Sequence, residues 1–140
     1  MNMKRKLTAV CMTVVLLVIT AVPAYAALPD DEIGLMAEYY MSARASLSIS
    51  SSGIAEATGR ITGKAGTTTK TTVHLYLQRY EDGEWVDVDD WILSQNTVST
   101  TLTETTSVDR GYKYRAKASC YAYSGSDYER VIKYSSEMTY

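Results

Sequence analysis
The sequence predicts an all-β protein, a single antiparallel β-sandwich of about seven strands behind a cleaved export signal. Three observations predict it. From Ala45 onward apolar and polar side chains alternate, the period of strands that bury one face. Turn-forming residues interrupt that alternation about every 8 to 12 residues, a sandwich spacing, although a barrel also fits. Tyr, Thr and Ser are abundant, with 12 tyrosines and no phenylalanine, and Thr and Tyr suit pleated surfaces better than helices.

The clearest element is TVHLYLQRYEDGEWVDV, residues 72–88. Val73, Leu75 and Leu77 alternate with His74, Tyr76 and Gln78, and Asp82-Gly83 then supplies the positive φ angles of a type I′ turn. A two-residue loop sets the register, pairing Tyr80 with Trp85, Arg79 with Val86 and Leu77 with Val88. Val86 and Val88 then share the face of Leu75 and Leu77, while Tyr80 and Trp85 lie on the other.

The chain start sets the expected compartment. Lys4, Arg5 and Lys6 precede the uncharged run 7–22, which Pro23 ends, and Ala24-Tyr25-Ala26 offers the small residues of a cleavage site. The run is shorter than the about 20 residues a spanning helix needs. Residues 1–26 are therefore expected to be a signal peptide, with the mature chain starting near Ala27. A lipoprotein is ruled out because Cys11 sits inside the apolar run rather than at the cut. Three of the 14 basic residues leave with the signal, so 11 face 16 acidic ones, about −5. That balance lacks the basic footprint of a nucleic-acid binder. No membrane partner is expected after cleavage, and no anchor sequence follows the last strand, so release or non-covalent wall attachment is the expected fate.

Residues 27–42 form a lead-in, and 43–140 one domain. Ile33, Met36, Ala37 and Tyr40 recur near helical spacing, so 33–41 is a short helix or an extended arm. Ala45, Leu47 and Ile49 mark a first strand; Ala55, Ala57, Gly59 and Ile61 mark a second. Their small inward residues imply bulky partners opposite, with tyrosines as the suppliers. Gly63–Lys70 connects to the hairpin, whose return arm ends at Asp89-Asp90, leaving Trp91 and Ile92 to fold under the sheet edge. Val98, Thr100 and Leu102 form another strand. After the turn at 108–111, YKYRAKASCYAY points Tyr112, Tyr114, Ala116, Ala118, Cys120 and Ala122 one way. Lys113, Arg115, Lys117, Ser119, Tyr121 and Tyr123 point the other. A final strand covers 129–134. Cys120, alone after cleavage, is in phase with the small core residues and reads as a buried hydrophobe.

The runs YKYRAKASCYAYSG and YERVIKYSS resemble the last two strands of fibronectin type III and immunoglobulin-like modules. The resemblance implies an immunoglobulin/fibronectin-like sandwich with a corner braced by Tyr112 or Tyr114, without the Cys…Trp…Cys framework of antibody domains. The plan as a whole is similar to small secreted proteins of Gram-positive bacteria grouped as a domain of unknown function. A signal peptide, a Thr/Ser-rich lead, LQRYEDGEWVDVDDW, RGYKYRAKA and a terminal Tyr-Ser strand carry that likeness across most of 43–140. It implies fold and export and supplies no catalytic residues.

The residues themselves point away from catalysis. His74, the one histidine, has no nucleophile placed beside it by spacing. Glu81, Asp82, Glu84, Asp87, Asp89 and Asp90 cluster at a hairpin tip and edge, where charge also blocks sheet-to-sheet association. Asp87, Asp89 and Asp90 match no defined calcium loop, and no cofactor motif is present. The candidate binding face is aromatic. Tyr76, Tyr80 and Trp85 point outward on the hairpin and Tyr121 and Tyr123 outward on the long strand, a row of rings flanked by Arg115 and Lys117. Such residues dominate binding hot spots, and they also stabilise sheets by cross-strand packing. The expected function is non-catalytic binding or structure outside the cell. The alternative is a carbohydrate or cell-wall binding module. The partners in view are a cell-wall glycan or another surface protein.

Overall fold
The computed structural model describes residues 37–140; the expected signal peptide, residues 1–26, and residues 27–36 of the expected lead-in lie outside the described residues. Eight antiparallel strands form two sheets, and among the described residues there is no helix. β1 (Tyr40–Ile49), β2 (Ile54–Gly63) and β5 (Ser99–Ser107) make one sheet in the order β1-β2-β5. β4 (Glu84–Gln95), β3 (Lys70–Glu81), β6 (Lys113–Ser124) and β7 (Asp127–Tyr134) make the other in the order β4-β3-β6-β7. β8 (Met138–Thr139), too short to read from periodicity, pairs with the start of β6.

The expected sandwich is the observed one, and alternation explains its layers. Leu75 and Leu77 are fully buried, as are Val73, Ala116, Ala118, Cys120 and Ala122. Across the interface stand Ala55, Ala57 and Ile61 from β2 and Leu102 from β5, also buried. Polar groups inside are paired: the Thr71 and Thr100 hydroxyls lie 2.7 Å apart and join β3 to β5 across the core. Tyr114, rather than Tyr112, braces the corner. Its ring is buried and its hydroxyl donates to the Asp109 carbonyl at 2.8 Å.

The hairpin turn forms as read, with positive φ at Asp82 and Gly83 and Tyr80 opposite Trp85. The expected register fails one step later. A β-bulge between Leu77 and Gln78 places Leu77 opposite Asp89, and Val88 is the unpaired extra residue, left exposed. The bulge shifts the inward phase from even to odd positions. Trp91 then pairs with Leu75 and Leu93 with Val73, and both pack on the core. The return arm therefore does not end at Asp89-Asp90. β4 runs straight through to Gln95, and Ile92 points outward, exposed, rather than folding under the edge.

Two further expectations change. The small residues of β2 divide: Ala55 clusters with Tyr114 as expected, but the atoms that would crowd a Cβ at Gly59 belong to Val73, Ala118 and Leu75. β1 also begins earlier than Ala45, so Tyr40–Ser42 is extended strand rather than helix. The Glu129 carboxylate holds its entry by accepting from the Glu38 and Tyr39 backbone N–H groups, both at 2.7 Å. Leu75 is fully buried between the sheets. Leu75→Ala is expected to cost about 2–5 kcal/mol in chemical denaturation, as cavity-forming core truncations do.

Candidate functional site
The outer face of the larger sheet is built by the even-numbered residues of β3 and the odd-numbered residues of β6, which pair in one register. All five rings expected on it are there, but not as one row. Tyr80 and Trp85 lie at the hairpin end, Tyr76 lies mid-sheet, and Tyr121 and Tyr123 lie at the far end opposite Thr72 and Lys70.

At the hairpin end the Tyr80 and Trp85 rings tilt together with centroids 5.2 Å apart. Arg115 flanks Trp85 and reaches a second ring as well. Its guanidinium lies between Trp85 and Tyr134, 4.2 Å from each ring centroid, and its Nε donates to Gln78 Oε1 at 2.8 Å. Gln78 Nε2 in turn donates to Asp87 Oδ1 at 2.7 Å. This chain crosses β6, β3 and β4 and covers Gln78, which is buried although it faces outward. Lys113 pairs with Glu137 at 3.0 Å and reaches over Tyr80 at 5.8 Å.

Mid-sheet, spacing along a single strand makes a group the sequence reading passed over. Residues 74 and 76 are same-face neighbours, and the Tyr76 hydroxyl lies 2.7 Å from His74 Nδ1. His74 Nε2 lies 2.8 Å from Asp90 Oδ2. Burial, and after it the carboxylates of Asp87 and Asp90, push the Tyr76 hydroxyl above its ordinary pKa. With Tyr76 protonated and donating to Nδ1, a neutral imidazole carries its proton on Nε2 and donates to Asp90. The chain locks the two rings, 4.1 Å apart, while burial and the two carboxylates make Tyr76 harder to ionise. Lys117 lies 5.0 Å over the same tyrosine ring.

At the far end Tyr121, Tyr123 and Tyr128 form a three-ring cluster with centroids 5.5–6.3 Å apart. Lys70 lies 4.0 Å over Tyr123, and Arg130 donates to the Ser119 hydroxyl at 2.9 Å. Tyr128 and Tyr134 of β7 were not among the expected site residues, yet they belong to this face. Their signal was the alternation in YERVIKY, which sends Tyr128, Arg130, Ile132 and Tyr134 to one side. Exposure separates the rings: Tyr128 is 58% exposed, Tyr80 42% and Tyr134 39%, while Trp85, Tyr76, Tyr121 and Tyr123 are half-buried by their neighbours.

The acidic residues of β4 do not converge. Asp87 bonds Gln78, Asp90 bonds His74, and Asp89 takes the Asp90 backbone N–H at 3.0 Å. Among the described residues no group of three or more His, Cys, Asp or Glu side chains is placed to hold a metal. Beside the hairpin, a cleft of about 340 Å³ lies between Arg79, Val88, Thr106 and Asp109. Arg79 fills its wall by pairing with Glu81 at 2.7 Å and Asp109 at 3.4 Å and stacking on Tyr112 at 4.3 Å.

Cys120 is a free, buried thiol, and burial pushes its pKa up to about 12. An unfolded chain loses that proton nearer pH 9, so the stability it carries is full below about pH 9 and falls as pH rises toward 12. The denaturation midpoint is expected to drop as pH rises from about 9 toward 12, and to drop less in Cys120→Ala. The native thiol should resist thiol reagents that label it in denaturant. An equal drop in the variant, or rapid native labelling, contradicts this assignment.

Comparisons of the chain with protein-family models, with curated proteins and with solved structures found no match.

Proposed function
We propose that the protein is an exported, non-catalytic binding module that meets a surface protein through the outer face of its larger sheet. One observation carries the reading, the difference between the two outer faces. The larger sheet presents seven rings, interleaved with Arg115, Lys117 and Arg130. The smaller sheet presents Arg44 and Arg60 among Ser46, Ser48, Thr58, Thr101, Thr103 and Thr105, with no ring among its outward strand positions. Tyr, Trp and Arg are the side chains that concentrate binding energy at protein interfaces. Arg115 already covers a face of Trp85 and of Tyr134, which favours a protein partner over sugars that need open ring faces.

A cell-wall glycan is the second reading, favoured by Tyr128. It is the most exposed ring of the face and packs beside Tyr121 and Tyr123 as a platform. Export rests on the N-terminal 26 residues, and mass spectrometry of protein from the medium should find a chain starting near Ala27. Protein retained in cells with Met1 intact would refute it.

The face is tested with a photo-crosslinking residue at Tyr80, at Tyr134 or, as control, at Thr103 of the other sheet. Crosslinks to one discrete protein on producing cells are expected from the first two sites and not from Thr103. Equal yield from all three overturns the reading. For the glycan, Trp91→Phe leaves Trp85 as the sole tryptophan reporter on this face. Quenching by wall glycan that Tyr128→Ser abolishes would favour the second reading instead.

A further inference from the structure
The smaller sheet carries a pair of charges that its own stability does not explain. In the β1–β2 register Arg44 stands directly opposite Arg60, and both are exposed. Like charges so placed destabilise a strand pair. Among the described residues the other four arginines each stack on a ring: Arg79 on Tyr112, Arg110 on Tyr140, Arg115 on Trp85 and Arg130 near Tyr121. Among the described residues Arg44 and Arg60 have no ring, ion pair or side-chain hydrogen bond. Along this face Glu56 is the nearest carboxylate on β2, four residues or about 13 Å from Arg60. A cleft of about 300 Å³ is lined by the pair together with Ala43, Ser42 and Thr62, the last two themselves cross-strand partners.

We propose that Arg44 and Arg60 clamp a phosphate group. Directly opposed side chains start about 5 Å apart, so two guanidinium forks converge on one anion. A carboxylate has two oxygens, which one fork already satisfies. A tetrahedral phosphate has oxygens for both forks and one more for the Ser42 or Thr62 hydroxyl. Binding neutralises the repulsion, so the anion stabilises the strand pair as well as being held by it. The cleft is at the small end of ligand sites, which fits a phosphate and the first atoms of whatever carries it. No ring is available for stacking, so recognition is of the charged group itself. The site lies on the opposite sheet from the aromatic face and does not depend on it.

The test follows the arginine Nε–H signals of the exported protein by NMR at constant ionic strength. Sodium phosphate, glucose 6-phosphate and sodium acetate are the three titrants. Arg44 and Arg60 signals are expected to move together and saturate with phosphate, and to respond weakly to acetate. Arg60→Gln, and independently Arg44→Gln, should weaken phosphate binding about tenfold or more, the factor that about 1.4 kcal/mol represents. Both side chains are exposed and repel each other, so a thermal melt without phosphate that is unchanged or raised verifies that the variants fold. Tighter binding of glucose 6-phosphate supports a carried phosphate; equal binding supports the free ion; either upholds the clamp. Non-saturating drift shared by all arginines, acetate binding as tight as phosphate, or undiminished affinity in both variants overturns it.

Discussion
The two sheets meet through small residues, and that close approach shapes the rest of the molecule. Ala55, Ala57 and Gly59 of β2 lie over a partner sheet whose β6 contributes Ala116, Ala118, Cys120 and Ala122. A methyl group at Gly59 would come within 2.7 Å of Val73 Cγ1 and 3.1 Å of Ala118 Cβ. An interior this thin has room for aliphatic side chains from β3 and little for rings. In a chain without phenylalanine, the rings go elsewhere. Tyr114 is the one ring buried completely among the described residues, and it does so at the sandwich end where its hydroxyl finds a carbonyl. Tyr112 and Tyr140 pack at the same end, Tyr39 and Tyr40 lie at the chain entry, Trp91 packs on the core from β4, and the other described rings cover the outer sheet face. The aromatic surface and the narrow core are two results of one packing constraint.

Placed outside, the rings are organised by charge. Long cationic side chains lie across them and keep their charged ends near water, so the face is a mixed layer rather than a bare apolar patch. The Asp87–Gln78–Arg115 chain shows how far this goes, since it buries an outward-facing glutamine. Arg44 and Arg60 depart from the pattern on the other sheet. There the neighbouring positions carry hydroxyls instead of rings, and the two charges face only each other.

Period-two alternation made most strands legible, because a residue's face depends only on its parity within a strand. Asp82-Gly83 made the hairpin legible for the same local reason. The bulge was harder to see. Its trace is that Val86 faces inward on even numbering whereas Trp91 and Leu93 do so on odd, a slip that needs one extra residue between them. Reading Trp91-Ile92 as a new segment hid that slip. The five expected rings were correctly assigned to the outer face, but their grouping was not legible. Which rings touch depends on cross-strand register, and the Gly125-Ser126 loop that aligns β7 with β6, and so places Tyr128 beside Tyr123, sets a pairing that alternation along each strand does not show. The Arg44–Arg60 juxtaposition was illegible for the same reason: 16 positions apart in sequence, they meet only once β1 and β2 are aligned.

The central claim, that a methyl-thin gap between sheets governs this fold, is tested most directly at Gly59. Replacing a strand glycine with alanine ordinarily stabilises a protein by about 0.4–1 kcal/mol, through lost freedom of the unfolded chain. Here the added methyl meets a stiff, fully buried valine, so Gly59→Ala should lower the free energy of unfolding by about 1–3 kcal/mol. Adding Val73→Ala should recover part of that loss beyond simple additivity. An unchanged or raised denaturation midpoint in the single variant would contradict the account.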